Sequence, residues 1–333
     1  MVSALRTFWS QSFFLPPPPL TEQNLPDQSG KVFLITGANS GVGYEVSRIL
    51  YAHNAKVYVG ARSESKGKEA IASMEKQHPE SKGKLEFLSL DLSDLSTIKA
   101  SVQDFLQREE KLHWLNNNAG VMTPPPGSKG AQGIDLSYQT NILGPFLLTK
   151  LLLPILKRTA EAEPTSNGAV RVSWASSLAL FVESPPGGVK WKTQNQEVTL
   201  DDSIGLRGIY SSSKAANFLL ANEFAKRFGE ADGVLHNTYN PGNLRTNLTR
   251  HMGAIASWLA SVLLLHPTIL GAYTELYAGL SPDLKLADNQ GAFIAPWGRQ
   301  ISVRQDVQDE VSKEGGNAEK LFDWCDRVTG KFA

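Results

Sequence analysis

From residue 31 onward, short apolar runs rich in β-branched and aromatic residues alternate with longer segments whose apolar positions follow helical spacing. This alternation is typical of a parallel sheet with helices on both faces. We therefore predict an α/β fold built on one doubly wound parallel sheet of about seven strands. The predicted strands are residues 31–36, 55–61, 85–92, 112–117, 170–175, 234–239 and 292–295. The predicted helices are residues 43–52, 65–77, 95–107, 133–160 and 210–228.

The chain of 333 residues is long enough for one large α/β domain with extensions. Residues 1–30 contain a run of prolines and lack the long apolar core and cleavage site of a signal peptide, so we predict an N-terminal arm. Residues 31–300 are predicted to form the α/β domain, and residues 301–333 a C-terminal helical tail.

The charged residues balance, with 33 lysines and arginines against 33 aspartates and glutamates. A chain without net charge is not expected to bind nucleic acid. Its single cysteine, Cys325, excludes an intrachain disulfide and a cysteine-based metal site, and we predict no metal centre. These features fit a reducing compartment, so we expect a cytoplasmic protein.

The longest apolar run spans residues 253–265. A helix that crosses a membrane needs about 20 residues, so this run is too short. We expect a buried or amphipathic helix here. A helix that lies in the membrane interface has a similar sequence, and peripheral membrane association is the alternative.

A glycine-rich turn follows the first predicted strand, in the sequence TGANSGVG. Gly37 lets the chain reverse, Gly41 lets the backbone approach a diphosphate, and Gly43 lets the helix pack closely on the strand. The free N–H groups of the following helix would then meet the phosphate charge. A plain tight turn is the alternative for this pattern. The predicted phosphate site also includes Asn39, Ser40 and Val42.

The second predicted strand ends at Arg62, where folds that bind NAD usually place an acid on the ribose hydroxyl. A guanidinium grips a phosphate through two parallel hydrogen bonds, so we expect the 2′-phosphorylated cofactor, NADP(H). The alternative is that Arg62 only begins a solvated loop. Asp91 and Leu92 end the third predicted strand, where an adenine edge could be bound.

Tyr210 and Lys214 begin a predicted helix, and a spacing of four residues places the phenol and the ammonium on one face. A phenol with an ordinary pKa of about 10 is a poor proton shuttle at neutral pH, and a nearby cation lowers that pKa. The same lysine could bind a nicotinamide ribose.

Polar residues also stand where the other predicted strands end. A hydroxyl at Ser176 or Ser177 could polarise a substrate carbonyl, although both serines could equally cap the strand. Asn141 lies inside a predicted helix, an unfavourable place unless its amide has a specific partner. The remaining candidates around the cofactor are Asn118, Ala119 and Gly120 after the fourth predicted strand and Pro241, Gly242 and Thr246 after the sixth.

Together and in this order, these motifs resemble those of the short-chain dehydrogenase/reductase family, in its branch with a TGxxxGxG turn and a YxxxK pair. The resemblance covers about residues 31–300. It is strongest to retinol-dehydrogenase-like and fungal carbonyl reductase members, which share the Pro/Gly-containing insertion between Ser177 and Tyr210. Two departures stand out: Asn116 replaces a usual apolar strand residue, and Trp174–Ala175 precede the serine pair.

The resemblance implies a Rossmann-type catalytic domain that uses NADP(H) to interconvert a ketone or aldehyde and an alcohol. It implies Tyr210 as general acid/base and Ser177 as carbonyl binder, with the choice over Ser176 resting on family register. It also implies Lys214 as the partner that lowers the pKa of Tyr210, and Asn141 as the residue that holds a water of the proton relay. Asn118 and Gly120 would line the cofactor site.

Two other functions are weighed against this one. A catalytically silent protein that senses NADP(H) or binds a partner could keep the same fold, although the intact candidate residues argue against it. An epimerase or dehydratase usually has different glycine spacing.

The segment 244–280, with Trp258 and Tyr273, is expected to form a substrate lid or else to pack in the core. As a lid it favours a lipophilic or polycyclic small molecule, with a secondary-metabolite intermediate as one candidate, and a homodimer is one candidate assembly.

Overall fold

The structure is a computed structural model that describes residues 2–163, 168–194, 196–244 and 265–333. Thr246, Trp258 and most of the apolar run 253–265 lie outside the described residues. The strands are β1 (Val32–Thr36), β2 (Lys56–Ala61), β3 (Lys84–Ser89), β4 (Trp114–Asn117), β5 (Val170–Ala175), β6 (Trp191–Gln194), β7 (Glu197–Leu200), β8 (Val234–Tyr239), β9 (Phe293–Ala295) and β10 (Arg299–Ile301).

The helices follow the same chain order. They are α1 (Val2–Ser12), α2 (Gly41–Ala52), α3 (Glu64–Gln77), α4 (Leu95–Arg108), α5 (Leu136–Tyr138), α6 (Gly144–Ala162), α7 (Ala179–Val182), α8 (Gly205–Phe224), α9 (Glu230–Asp232), α10 (Thr268–Leu280), α11 (Leu286–Asn289), α12 (Gln305–Ser312) and α13 (Asn317–Thr329). A π-helical turn, Gln139–Leu143, joins α5 to α6, and another, Ala225–Gly229, joins α8 to α9.

The predicted doubly wound parallel sheet is confirmed. In the described part of the chain the sheet has the order β10-β9-β8-β5-β4-β1-β2-β3. The chain runs from β1 outward to β3 and then returns to β4, which pairs with β1 on its other side. The crevice between β1 and β4 is therefore the switch point, at which open α/β sheets bind their ligands.

The central strands β8, β5, β4 and β1 are buried along their whole length because helices cover both faces of the sheet. All five residues of β1 are buried, as expected for a parallel strand covered on both sides. One apolar layer packs α4, α6 and α8 on the sheet, and the other packs α2 and α10 on the opposite face.

Some boundaries differ from the prediction. The sheet gains β10, which runs antiparallel to β9 and is too short for its pattern to be read from the sequence. The α/β unit therefore continues past residue 300. The third strand ends at Ser89, before Asp91 and Leu92, and the helix predicted from residue 210 begins at Gly205. The insertion after β5 contains α7 and the separate antiparallel hairpin β6–β7.

The helix Leu136–Ala162, which comprises α5, the π-helical turn and α6, is long and apolar enough to cross a membrane by length and composition alone. Within the protein, 78% of its most apolar stretch of 18 residues is buried. Its second half packs on α4 and β5. The core helix of a soluble protein meets the same criteria, so this helix is weak support for a membrane span.

The predicted lid does not extend through residues 268–280, because α10 is a core helix. It packs on α2 and on β5 and β8, and eight of its residues are buried. Tyr273 lies against Glu22 of the N-terminal arm. Burial raises the pKa of Tyr273, and the Glu22 carboxylate raises it further. The apolar composition that favoured a lid here is explained by core packing.

Candidate active site

The glycine turn between β1 and α2 has the geometry of a phosphate cradle. Gly37 and Gly41 have positive φ, at +68° and +62°, which other residues rarely adopt. A Cβ on Gly41 would meet no atom within 4 Å, so the backbone there borders open space where α2 begins. A Cβ on Gly43 would lie 2.5 Å from Nδ2 of Asn118. Only glycine leaves room for that asparagine.

The other turn residues take different environments. Ser40 is exposed and extended at the N-terminus of α2, and its side chain does not cap the helix. The first N–H groups of α2 are therefore left for an anionic ligand. Asn39 is half-buried, and Val42 is buried in the layer beneath the turn.

Hydrogen bonds join the ends of β1 and β4 across the switch point. Asn118 donates Nδ2 to the carbonyl of Thr36 at 2.7 Å, and Ala119 donates its N–H to the Thr36 hydroxyl at 2.9 Å. That hydroxyl donates to the carbonyl of Asn116 at 3.2 Å. The loop that follows β4 is thereby held beside the glycine turn, where a dinucleotide would lie.

The predicted adenosine end of the site is open on one side. Arg62 follows β2 and is exposed, and no ion pair holds its guanidinium within the described ranges. Asp91 is half-buried and accepts the N–H of Ser93 at 2.9 Å. Leu92 is buried against Gly144 of α6. Arg62 is thus free to meet a phosphate.

Tyr210, Ser177 and Lys214 meet at the carboxyl end of β5. The hydroxyl of Ser177 lies near the half-buried phenol of Tyr210 and opposes the rise in its pKa that burial causes. Nζ of Lys214 lies 5.8 Å from the centre of the Tyr210 ring and donates to the carbonyl of Ala175 at 2.9 Å. A phenol, a hydroxyl and an ammonium therefore lie close together at this edge of the sheet.

The two serines after β5 have different surroundings. Ser176 is buried, and its hydroxyl donates to the backbone carbonyl of Lys214 at 2.7 Å. Ser177 is half-buried, accepts the N–H of Ala179 at 3.2 Å and faces Tyr210. Ser176 fixes the helix that carries Lys214, whereas Ser177 has a hydroxyl that a carbonyl could reach.

The electrostatics of the phenol differ from our expectation. Burial raises the pKa of Tyr210, the hydroxyl of Ser177 opposes that rise, and Lys214 does not lower it. The ammonium points toward Ala175 rather than toward the phenol oxygen. Burial also lowers the pKa of Lys214 to about 8.

Asn141 has the specific partners that its place inside a helix requires. It lies in the π-helical turn, donates Nδ2 to Val121 O at 3.0 Å and to Ser213 Oγ at 2.9 Å, and accepts the N–H of Val121 at 2.8 Å. Its Oδ1 keeps one lone pair. A Cβ on Gly120 would lie 3.2 Å from both that oxygen and Nζ of Lys214, so the three groups border one small space.

The loop after β8 packs against α1 and α10. Gly242 has a φ of +97° and donates its N–H to Oδ1 of Asn240 at 3.0 Å, and Pro241 before it is half-buried. Asn240 and Asn243 also bind α1, through Gln11 and Ser12, each at 2.9 Å.

Sequence reasoning missed two parts of this neighbourhood. Gln11 and Ser12 of the N-terminal arm are buried beside the loop after β8. Glu275 of α10 is fully buried and accepts a hydrogen bond from Asn116 at 2.6 Å. The arm carries no sequence signal for this contact, but the polar Asn116 in an apolar strand was a signal for a buried partner.

Comparison with known proteins gives one consistent result. A family model described as short chain dehydrogenase matches residues 31–170. The chain is 44% identical to a short-chain dehydrogenase/reductase of Phomopsis amygdali, over 97% of this chain and 96% of that protein. It is 40% identical to short-chain dehydrogenase/reductase bet4 of Neocamarosporium betae, over 98% of this chain and 94% of that protein. A crystal structure of an uncharacterised protein from Mycobacterium paratuberculosis superposes with a TM-score of 0.65 at 27% identity, covering 93% of this chain and 97% of that one.

Proposed function

The chain belongs to the short-chain dehydrogenase/reductase family, and from this premise we propose that it interconverts a lipophilic ketone or aldehyde and its alcohol with NADP(H). NAD(P)-dependent oxidoreduction between a carbonyl and a hydroxyl carbon is the reaction class of this family. The observation that carries the proposal is the placement of Tyr210, Ser177 and Lys214 at the end of β5, with Gly120 of the loop after β4 beside the ammonium.

In the proposed reaction the nicotinamide, when bound, supplies or accepts the hydride. The hydroxyl of Ser177 donates to the substrate oxygen, which polarises the carbonyl. The phenol of Tyr210 gives its proton to that oxygen during reduction and takes it back during oxidation. Burial raises the pKa of Tyr210, so the phenol is suited to hold the proton that reduction requires.

The other candidate residues support these two groups. The ammonium of Lys214 would bind the nicotinamide ribose from its place beside the carbonyl of Ala175. The free lone pair of Asn141 Oδ1 would hold a water that returns a proton from solvent. Gly37, Gly41 and the N-terminus of α2 would hold the diphosphate.

The preference for NADP(H) depends on Arg62. Because this guanidinium is exposed at the end of β2, Arg62→Asp is expected to lower the ratio of NADPH to NADH affinity by about 10- to 100-fold, the value of a charge-assisted phosphate contact. Titration of the purified variant with each cofactor measures this ratio. Arg207→Asp, at another exposed arginine, is the control. An unchanged ratio in Arg62→Asp would remove this residue from the argument.

We expect Ser177 to act in catalysis and Ser176 to act in stability. Ser177→Ala should lower kcat/KM about tenfold, the value of one neutral hydrogen bond, with the fold intact. Ser176→Ala removes the bond to the backbone of Lys214 and should chiefly lower the melting temperature. Kinetics and thermal unfolding of both variants test this assignment, and a larger kinetic loss in Ser176→Ala would reverse it.

The proposal is tested by NADPH turnover with a panel of ketones and aldehydes of increasing size and apolarity. An oxidoreductase oxidises NADPH in the presence of at least one of them, and the lipophilic members should give the highest kcat/KM. A silent cofactor-binding protein would bind NADPH, seen by fluorescence titration, without turnover on any member of the panel.

A cytoplasmic location is part of the proposal, and the apolar residues 253–265 make it testable. Untagged protein should remain in the supernatant after membranes are sedimented. Recovery in the pellet that is lost when Leu263 and Leu264 are replaced with Ser would establish an interfacial helix instead.

A further inference from the structure

The N-terminal arm reaches the edge of the sheet at which the candidate active site lies. Leu20 and Leu25 are buried in the layer of α2 and α10, and a Cβ on Gly298, in the turn between β9 and β10, would lie 3.2 Å from Cδ of Pro19. The helix α1 binds the loop after β8 and packs on α7, the short helix that follows Ser177. It therefore joins two segments that leave neighbouring strands of the sheet.

The loop after β8 borders both halves of the candidate site. The N–H of Ser176 donates to the last carbonyl of β8 at 2.7 Å, so the loops that begin at Ser177 and Pro241 leave paired strands at the same edge. A Cβ on Gly271 of α10 would lie 3.1 Å from the carbonyl oxygen of Pro241 and 3.3 Å from Cγ1 of Val42 in the glycine turn. A nicotinamide that extends from the glycine turn toward Ser177 would therefore pass this loop.

Gln11 of α1 holds the first residue of that loop. Its Oε1 accepts a hydrogen bond from Nδ2 of Asn240 at 2.9 Å, and Oδ1 of Asn240 accepts the N–H of Gly242 at 3.0 Å. Both side-chain amides belong to buried residues, and Gly242 has a φ of +97°, which other residues rarely adopt. Gln11 thus fixes the orientation of the Asn240 amide, and that amide fixes the turn at Gly242.

Stability alone does not explain an amide at position 11. Nε2 of Gln11 is buried and has no hydrogen-bond partner in the part of the chain that the structure describes. A buried donor without a partner costs free energy, whereas an apolar side chain of similar size, such as methionine, carries no donor to pair. The useful part of this side chain is therefore its oxygen, which holds Asn240.

Other contacts anchor α1 without the side chain of Gln11. Arg299 donates to the carbonyl of Ser10 at 2.8 Å, and Asn243 donates to Oγ of Ser12 at 2.9 Å. Phe8 packs against the apolar layer that contains α8. Because these contacts keep α1 in place, a substitution of Gln11 is expected to act mainly on the loop after β8.

We propose that Gln11 is a positioning residue for cofactor binding, which holds the loop after β8 in the conformation that contacts the nicotinamide. The helix α1 is then part of the active site and not only an extension of the fold. The inference rests on the proposed function in one respect, that NADP(H) binds with its nicotinamide against this loop. Because Gln11 acts through the loop, it sets the affinity for the cofactor and leaves the proton transfer by Tyr210 unchanged.

The test removes the amide of Gln11 and keeps its size. In Gln11→Met the Asn240 side chain loses its acceptor, so the Kd of NADPH is expected to rise about five- to tenfold, the value of about one neutral hydrogen bond. The value of kcat at saturating NADPH should be nearly unchanged. Fluorescence titration and steady-state kinetics measure the two quantities. Ser10→Ala is the matched control in the same helix, because its hydroxyl donates within α1 to the carbonyl of Thr7.

A double variant shows whether Gln11 acts through Asn240. Asn240→Ala releases the N–H of Gly242 by itself, so the Kd of NADPH should rise in this variant as well. Adding Gln11→Met to Asn240→Ala should then change the Kd little further, because both substitutions break the same chain of hydrogen bonds. Losses of affinity that add in full would mean that Gln11 acts elsewhere and would overturn the proposal.

Hydrogen exchange gives a readout that needs neither turnover nor cofactor. The N–H of Gly242 is bonded to Asn240, so its exchange, followed by NMR in the cofactor-free protein, should become faster in Gln11→Met and stay unchanged in Ser10→Ala. Gln11→Asn, whose shorter side chain does not reach Asn240, should have the same effect and covers the case in which Gln11→Met does not fold. A lower melting temperature with unchanged exchange at Gly242 and unchanged Kd would show a merely structural role and overturn the proposal.

These results are distinguishable from a failure of the proposed function. If the unmodified protein turned over no member of the carbonyl panel, the proposed function would fall, and the Kd of NADPH and the exchange at Gly242 would still test Gln11. If exchange at Gly242 became faster while the Kd stayed the same, Gln11 would hold a loop that does not contact the cofactor. That outcome would overturn the inference and leave the proposed function intact.

Discussion

Replacing Tyr210 with Phe is expected to lower kcat/KM by about 10² to 10⁴-fold, the usual value of a general acid or base. The substitution removes the phenol oxygen and keeps the ring, so the contacts around the nicotinamide site are retained. Affinity for NADPH should therefore be nearly unchanged. Steady-state kinetics on the best substrate of the carbonyl panel, with a fluorescence titration of NADPH, measure both quantities.

A second buried tyrosine provides the control for this prediction. Tyr138 of α5 donates its hydroxyl to the carbonyl of Asp201 at 2.8 Å. Tyr138→Phe also removes one buried hydroxyl, so it should cost about 1 kcal/mol of stability and leave kcat/KM almost unchanged. If Tyr210→Phe kept activity within a few-fold of the unmodified protein, another group would have to carry the proton.

The parts of the site that the sequence predicted are local in the chain. Gly37, Gly41 and Gly43 follow a strand and begin a helix within eight residues, so their spacing alone indicates a phosphate turn. Tyr210 and Lys214 share one helix, and their spacing places them on one face. Such features depend on backbone geometry over one or two turns.

The parts that could not be predicted depend on contacts between distant residues. The pattern showed that Asn141 needed a partner, but Val121 and Ser213 lie 20 and 72 residues away. Asn116 was recognised as unusual, yet Glu275 is 159 residues away and its helix looked like part of a lid. An apolar helix has the same composition whether it covers a substrate or packs in the core.

The N-terminal arm shows the same limit. Its prolines and missing signal features predicted an extension, and nothing in residues 11 and 12 indicates a bond to a loop 229 residues later. The sequence also does not separate Ser176 from Ser177, because adjacent residues at a strand end differ only in the direction in which their hydroxyls point.

Arg171→Met is expected to lower the free energy of unfolding by about 2 to 4 kcal/mol. This guanidinium is buried on β5 and donates to four backbone carbonyls, with distances from 2.6 to 3.1 Å. Burial lowers its pKa to about 10, so it remains charged at neutral pH. Three of the carbonyls belong to the end of α10 and the turn after it, so Arg171 fixes the helix that carries Glu275. The acceptors are Gly168, Ala278, Ser281 and Leu284.

Methionine fills a similar volume but donates no hydrogen bond, so it leaves these carbonyls without their charged donor. The carbonyl of Ala278 also accepts a hydrogen bond from Asn237 at 2.7 Å. This acceptor therefore keeps a partner in Arg171→Met, and the expected loss of stability is smaller than that of four separate hydrogen bonds. Urea unfolding measures the change, and Arg207→Met, on a side chain that is 84% exposed, should stay within about 0.5 kcal/mol of the unmodified protein. A loss below about 1 kcal/mol in Arg171→Met would mean that water or neighbouring N–H groups replace the guanidinium, and that α10 is held by its apolar contacts alone.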